Sequence, residues 1–225
     1  MHKAMILSAL LSAAATASAA SATTVSYTLD QTVEGSSPSG APTLFFDDGD
    51  TPGSVQLTID AMGMSGGEYI ASVFFNFAAA GTNLTFSYAS GDAPMPVNIF
   101  QTVDGRDSPG NQGNFDVELE FGSSNAQQGA FRFNADEVLV LNIVGANLVA
   151  SDFLLDSAPE GPNAGSNYAL ARIRGIAGGL SASVAPEDPQ DLPPPLEQVP
   201  EPAAIGLFGL GLLGLGMGLR RRRQR

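Results

Sequence analysis

Cysteine and tryptophan are absent from this chain of 225 residues, and histidine and lysine occur once each, as His2 and Lys3. Without cysteine there is no disulfide, no thiolate nucleophile and no Cys-ligated metal. His2 and Lys3 stand in a stretch that reads as a removable leader. The rest of the chain can build no Ser-His-Asp triad, no His-ligated zinc site and no lysine Schiff base. Positive charge is scarce as well. Residues 23–198 hold four basic groups, Arg106, Arg132, Arg172 and Arg174, against 22 carboxylates, a formal balance of −18. So acidic a surface repels nucleic acid and anionic lipid, which need clustered Lys and Arg, and no nucleic-acid partner is expected. A high charge of one sign also serves solubility alone.

What is present is organised at the two ends. Met1-His2-Lys3 is a weakly positive start, followed by the apolar run Ala4–Leu11 and an Ala/Ser-rich stretch to Ala22. Ala17-Ser18-Ala19 fits a signal-peptidase site, and cleavage after Ala19, Ala20 or Ala22 reads equally well. Residues 1–22 are therefore expected to be a signal peptide, with signal peptidase as a partner. At the other end, Val199-Pro200-Glu201-Pro202 leads into 17 uncharged residues, Ala203–Leu219, and then Arg220, Arg221, Arg222, Arg223, Gln224 and Arg225. The prolines keep the short motif extended, open to an enzyme that grips backbone. As a helix the apolar run is about 25 Å long, enough for a thin bilayer. The arginines hold their end in the cytoplasm as a membrane stop.

This order of motif, helix and arginines resembles the PEP-CTERM signal of bacterial proteins that exosortases process. On the family's pattern Pro200, Glu201 and Pro202 are the Pro-Glu-Pro, 203–219 the transmembrane helix and 220–225 the basic end. The resemblance implies an exported Gram-negative protein, held transiently in the inner membrane, cut near the motif by an exosortase and delivered to the cell surface or extracellular matrix. Before the motif, residues 185–198 turn to Pro, Asp, Glu and Gln, with Pro193-Pro194-Pro195, which reads as an extended acidic linker.

Residues 23–184 read as one all-β domain, an antiparallel sandwich or jelly roll. Val55, Leu57 and Ile59 alternate with polar residues, as do Leu84, Phe86 and Tyr88. In Phe115–Phe121 the pattern predicts apolar side chains on one face and Asp116, Glu118 and Glu120 on a solvated face, opposite Arg172 or Arg174 on a neighbouring strand. Tyr69–Phe77 and Val138–Val144 are apolar nearly throughout and are expected in central strands, buried on both faces. Further strands are expected at Thr24–Leu29, Val97–Thr102, Ala130–Phe133, Phe153–Leu155, Tyr168–Ile173 and Ser181–Val184. Gly35–Pro42, Asp47–Gly53, Gly63–Gly67, Gly91–Pro96, Asp104–Gly113 and Ala158–Gly165 read as turns. The four tyrosines are expected as strand residues with wet hydroxyls.

Two clusters have chemistry to offer. Asp47, Asp48 and Asp50, around Gly49, supply oxygen ligands suited to Ca2+, as in calcium-bearing β-sandwich carbohydrate-binding modules. The same composition is what an acidic β-turn prefers. Neighbouring acids of the 116–120 ladder lie about 7 Å apart, a separation glycosidases use, but a catalytic pair needs one acid raised in pKa within a cleft. No enzyme activity and no required cofactor are expected. Gly113-Asn114-Phe115-Asp116, Phe131-Arg132-Phe133, Ser151-Asp152-Phe153 and Ala171-Arg172-Ile173-Arg174-Gly175-Ile176 resemble a PEP-CTERM ectodomain family of unassigned activity. That resemblance implies no biochemical role. The sequence thus points to a structural surface or biofilm-matrix protein among extracellular polysaccharide, with a carbohydrate-binding, calcium-assisted adhesive module as the alternative.

Overall fold

A computed structural model describes residues 22–49, 51, 53–78, 83–123, 130–159 and 165–187. The expected signal peptide apart from Ala22, most of the expected linker, the sorting tail and Asp50 lie outside the described residues. Within them the chain forms twelve strands: β1 Thr24–Thr28, β2 Gln31–Gly35, β3 Thr43–Asp47, β4 Ser54–Asp60, β5 Tyr69–Phe75, β6 Thr85–Gly91, β7 Asn98–Asp107, β8 Asn114–Glu120, β9 Phe133–Asn134, β10 Val138–Val144, β11 Ala169–Ile176 and β12 Leu180–Ala185. All pairings are antiparallel. One sheet has the order β1-β3-β4-β10-β6, the other β2-β12-β11-β5-β8-β7, with β9 paired to β5.

The two sheets share one core, as the alternation requires: an apolar face can be buried only against another apolar face. Leu44, Phe46, Leu57, Ile59, Leu139 and Leu141 from the first sheet meet Ile70, Val73, Phe75, Val117, Leu119 and Ile173 from the second. An aromatic group ties them at one end. Phe46 stacks on Phe153 with centroids 4.2 Å apart and meets Phe75 edge-on at 5.5 Å, while Tyr27 stacks on Tyr168 at 5.9 Å. These rings supply about 1 kcal/mol per pair beyond the area they remove from water. At one edge the Gln101 side chain imitates a strand. Its amide donates to the Leu84 carbonyl and accepts from the Leu84 N–H, both at 2.8 Å, linking β7 to the approach of β6. The result is β-sandwich-like and all-β, in agreement with the sequence pattern.

Several elements depart from expectation. β5 is central and buried along its whole length. β10 is central too, but only alternate residues are fully buried, and Val144 is 49% exposed. Its outer face is not covered, so apolar composition overstated its burial. β6 lies at a sheet edge, and Tyr88 is exposed instead of facing the core. Phe153–Leu155 is no strand. Ala150–Phe153 is a short 3-10 helix, started by the Asp152 carboxylate accepting the Val149 N–H at 3.0 Å. Of the expected strand at Ala130–Phe133 only Phe133 pairs, in β9. β7 runs on through Asp107, past a register irregularity between Gln101 and Arg106, where Asp104 takes a positive φ of 47°. Strand β12 ends at Ala185, one residue into the stretch read as linker. Among the described residues no helix is long and apolar enough to cross a membrane; the expected span, 203–219, lies outside them.

Candidate functional site

The aspartate loop after β3 is organised by its own backbone. Asp47 accepts the Gly49 N–H at 2.9 Å, closing an Asx-type turn. Asp48 reaches further: one carboxylate oxygen accepts the Thr23 N–H at 2.6 Å, the other the Ala150 N–H at 3.2 Å. It thereby fastens the start of β1 and the start of the 3-10 helix to the end of β3. A small concavity of about 200 Å3, lined in part by Asp47, Asp48, Gln56 and Asn142, lies beside it. Among the described residues no group of three or more acidic or histidine side chains is placed to hold a metal ion. Asp50 is outside the described residues.

The acid ladder of β8 is not a uniform solvated face. Asp116 is buried, accepting the Asp104 N–H at 2.8 Å and the Phe77 N–H at 3.2 Å, while its own N–H donates to the Asn76 amide oxygen at 2.8 Å. Those amides come from the irregular part of β7 and the end of β5, which sequence periodicity could not bring together. Phe115 also departs from the one-face pattern. It packs with Phe74 and Leu170 in a separate cluster, whereas Val117, Leu119 and Phe121 enter the main core. Glu118 pairs with Arg106 of β7, whose Nε donates at 2.9 Å and whose guanidinium lies 4.1 Å over the Phe100 ring. Glu120 accepts the Asn98 amide at 2.7 Å. The expected partners Arg172 and Arg174 are elsewhere, because β5 separates β8 from β11.

Those arginines build the most distinctive surface of the domain. Two residues apart on β11, they share the outer face of the larger sheet. Arg172 is paired in register with Ser72 and Ser183, and Arg174 with Tyr69 and Ser181. A bulge at Ala71 keeps both Tyr69 and Ser72 outward although they are three residues apart. From the other side of β5, Arg132 lays its guanidinium 4.3 Å over the Tyr69 ring, and both side chains donate to the Ser123 carbonyl, Tyr69 at 3.0 Å and Arg132 at 3.4 Å. Three of the body's four arginines thus line one concavity of about 540 Å3, which Gly67, Gly175, Gly179, Leu180 and Ser181 complete. The glycines leave it open. Gly175 has φ +76°, and a Cβ there would fall 2.0 Å from the Gly67 carbonyl oxygen. Arg172 and Arg174 are half-buried, and among the described residues neither has a carboxylate at ion-pair distance. The arginine doublet on a strand was visible in the sequence; its convergence with Arg132 depended on β9 pairing with β5.

Tyr27 is a strongly perturbed titratable group. It is buried and its hydroxyl donates to the Phe153 carbonyl at 2.8 Å. Burial first, then the neighbouring Tyr168 and Asp156, push its pKa far above the usual tyrosine value. The expected wet hydroxyl is in fact a core hydrogen bond.

Comparison with known proteins adds the C-terminus. Residues 198–223 match the family model of the PEP-CTERM protein-sorting motif, a span that includes Val199–Pro202 and Arg220–Arg223. The chain thus carries a PEP-CTERM sorting motif at its C-terminal end, which implies an exported protein with transient membrane anchoring and an exosortase as processing partner. No curated protein and no solved structure matches the chain.

Proposed function

We propose that the protein is a structural component of the cell surface or extracellular polysaccharide matrix of a Gram-negative bacterium. It is exported by its signal peptide, held in the inner membrane by residues 203–219 and cut near Val199–Pro202 by an exosortase. The observation that carries the reading is the sorting motif at 198–223. A compact, strongly acidic, cysteine-free β domain suits it: such a body needs no oxidising compartment to fold and stays soluble once released. The domain supplies no catalysis in this reading, since Glu118 is ion-paired and Asp116 is occupied by backbone amides. Deleting Pro200–Pro202 tests it. The chain should then accumulate uncut in the inner-membrane fraction and be lost from the surface; unchanged length and destination would refute sorting by this motif.

A second reading, an adhesive carbohydrate-binding module, is favoured by one observation, the arginine-lined concavity on the outer face of the larger sheet. Calcium assistance at Asp47, Asp48 and Asp50 belongs to that reading. The way Asp48 is used as a backbone fastener weighs against it, because both of its oxygens already serve amides.

A further inference from the structure

We propose that the concavity formed by Arg132, Arg172 and Arg174 binds the carboxylate of an acidic sugar unit, a uronic acid within a polysaccharide. The inference takes the proposed extracellular-matrix role as its source of ligand; the site itself is argued from charge and shape.

Charge comes first. A half-buried guanidinium with no counter-ion has lost hydration without replacement, an arrangement that costs stability. Here two such groups stand side by side on β11, and among the described residues no carboxylate lies at ion-pair distance from either. Glu118 shows that the fold can supply a partner where it supplies one: it is given to Arg106, on the far side of β5 and β8. The arrangement makes chemical sense once an external oxyanion completes it. Guanidinium presents a planar fork of donors that matches a carboxylate in two parallel hydrogen bonds. Arg132, held flat on the Tyr69 ring, is already oriented, so little of its side-chain freedom is lost on binding.

Shape and lining select the class of molecule. A volume of about 540 Å3 lies within the usual range for small-molecule sites. It accommodates a sugar unit, not an extended protein surface. Around the guanidinium groups are the exposed Ser181 hydroxyl and the backbone of Gly67, Gly175 and Gly179, which suit sugar hydroxyls, with Leu180 as an apolar rim. No tryptophan exists to stack a neutral sugar, so recognition here is ionic. The acidic remainder of the surface sets the scale of contact. At physiological salt its repulsion of a polyanion is screened beyond about 8 Å, while charges inside the concavity are screened less. The site therefore engages one short stretch of polymer.

The test is calorimetric titration of the full chain in neutral detergent at 0.15 M salt, with trigalacturonate as probe. Three comparison probes are a neutral galactose trisaccharide, acetate and inorganic phosphate. The double variant Arg172→Gln/Arg174→Gln should bind trigalacturonate at least about tenfold more weakly than wild type, with circular dichroism reporting an unchanged fold. The arginines of the tail are present in both proteins and cancel in the comparison. Ser181→Asp, which leaves every arginine in place but sets a carboxylate opposite Arg174 in the register, should weaken binding similarly by supplying an internal counter-ion. Arg106→Gln should leave it unchanged. Equal binding by wild type and the folded double variant overturns the proposal, as does equal binding of the neutral trisaccharide. Acetate or phosphate competing as well as the trisaccharide overturns the sugar assignment. These outcomes are read in solution, so they are independent of where the cell sends the protein: loss of surface delivery would sink the matrix reading and leave this result standing.

Discussion

At the scale of single residues, two polar side chains hold more of the fold than their position in the chain suggests. Asp48 connects three separate segments through two backbone amides. Its replacement by alanine leaves both amides without a charged acceptor, and the loss is expected to be about 1–3 kcal/mol. A chemical-denaturation midpoint will measure it. Both Asp48 oxygens are engaged by backbone amides, so the thermal midpoint is expected to be unmoved by EDTA; a clear drop would restore the calcium reading at Asp47, Asp48 and Asp50. Tyr27 is the second case. Tyr27→Phe removes the donor to the buried Phe153 carbonyl and is expected to cost about 1–2 kcal/mol in the same measurement. The raised pKa has a sign in pH as well. The folded state keeps its proton to higher pH than the unfolded state, so the contribution of Tyr27 is complete below the ordinary tyrosine value, about 10, and declines as pH rises past it. Wild-type stability should therefore fall more steeply above that pH than that of Tyr27→Phe.

At the scale of elements, the hairpin of β11 and β12 shows how a local backbone device makes a surface. Gly175 is the residue at which pairing shifts between Arg174 opposite Ser181 and Ile176 opposite Leu180. Its positive φ and its closeness to the Gly67 carbonyl leave no room for a side chain. Gly175→Ala is expected to destabilise the domain by about 1–3 kcal/mol and to narrow the concavity; equilibrium unfolding and the trigalacturonate titration read the two effects separately. How much of this could be read beforehand depends on the element. β4, β5, β11 and β12 announced themselves through period-two alternation or continuous apolar runs, because their neighbours bury the faces those runs imply. β3 was hidden. Its pairing residues, Thr43–Asp47, are squeezed between two turn-rich stretches, and Asp47 serves strand and turn at once. β2 is a polar edge strand with no alternation to reveal it. The burial of Asp116 and the gathering of three arginines rest on a long-range pairing, β9 with β5, and on the irregularity of β7, neither of which leaves a periodic trace.

At the scale of the whole molecule, the chain divides its chemistry between a body and its ends. The body has four cations, and each has a place: Arg106 is spent on Glu118, and the other three converge on one concavity. The tail carries five more arginines within its last six residues. This segregation fits the task proposed for each part. A membrane stop requires dense positive charge beside an apolar helix, whereas a released domain keeps its solubility through charge of the opposite sign. Cutting near Val199–Pro202 would separate the two, leaving the acidic body free of the cationic plug. The most direct test is intact-mass spectrometry of the protein recovered from the surface of the native cell, reading both termini. The expected species begins between Ala20 and Thr23 and ends near Val199–Pro202, without the apolar run. A surface species that still contains Arg220–Arg225 would contradict exosortase processing.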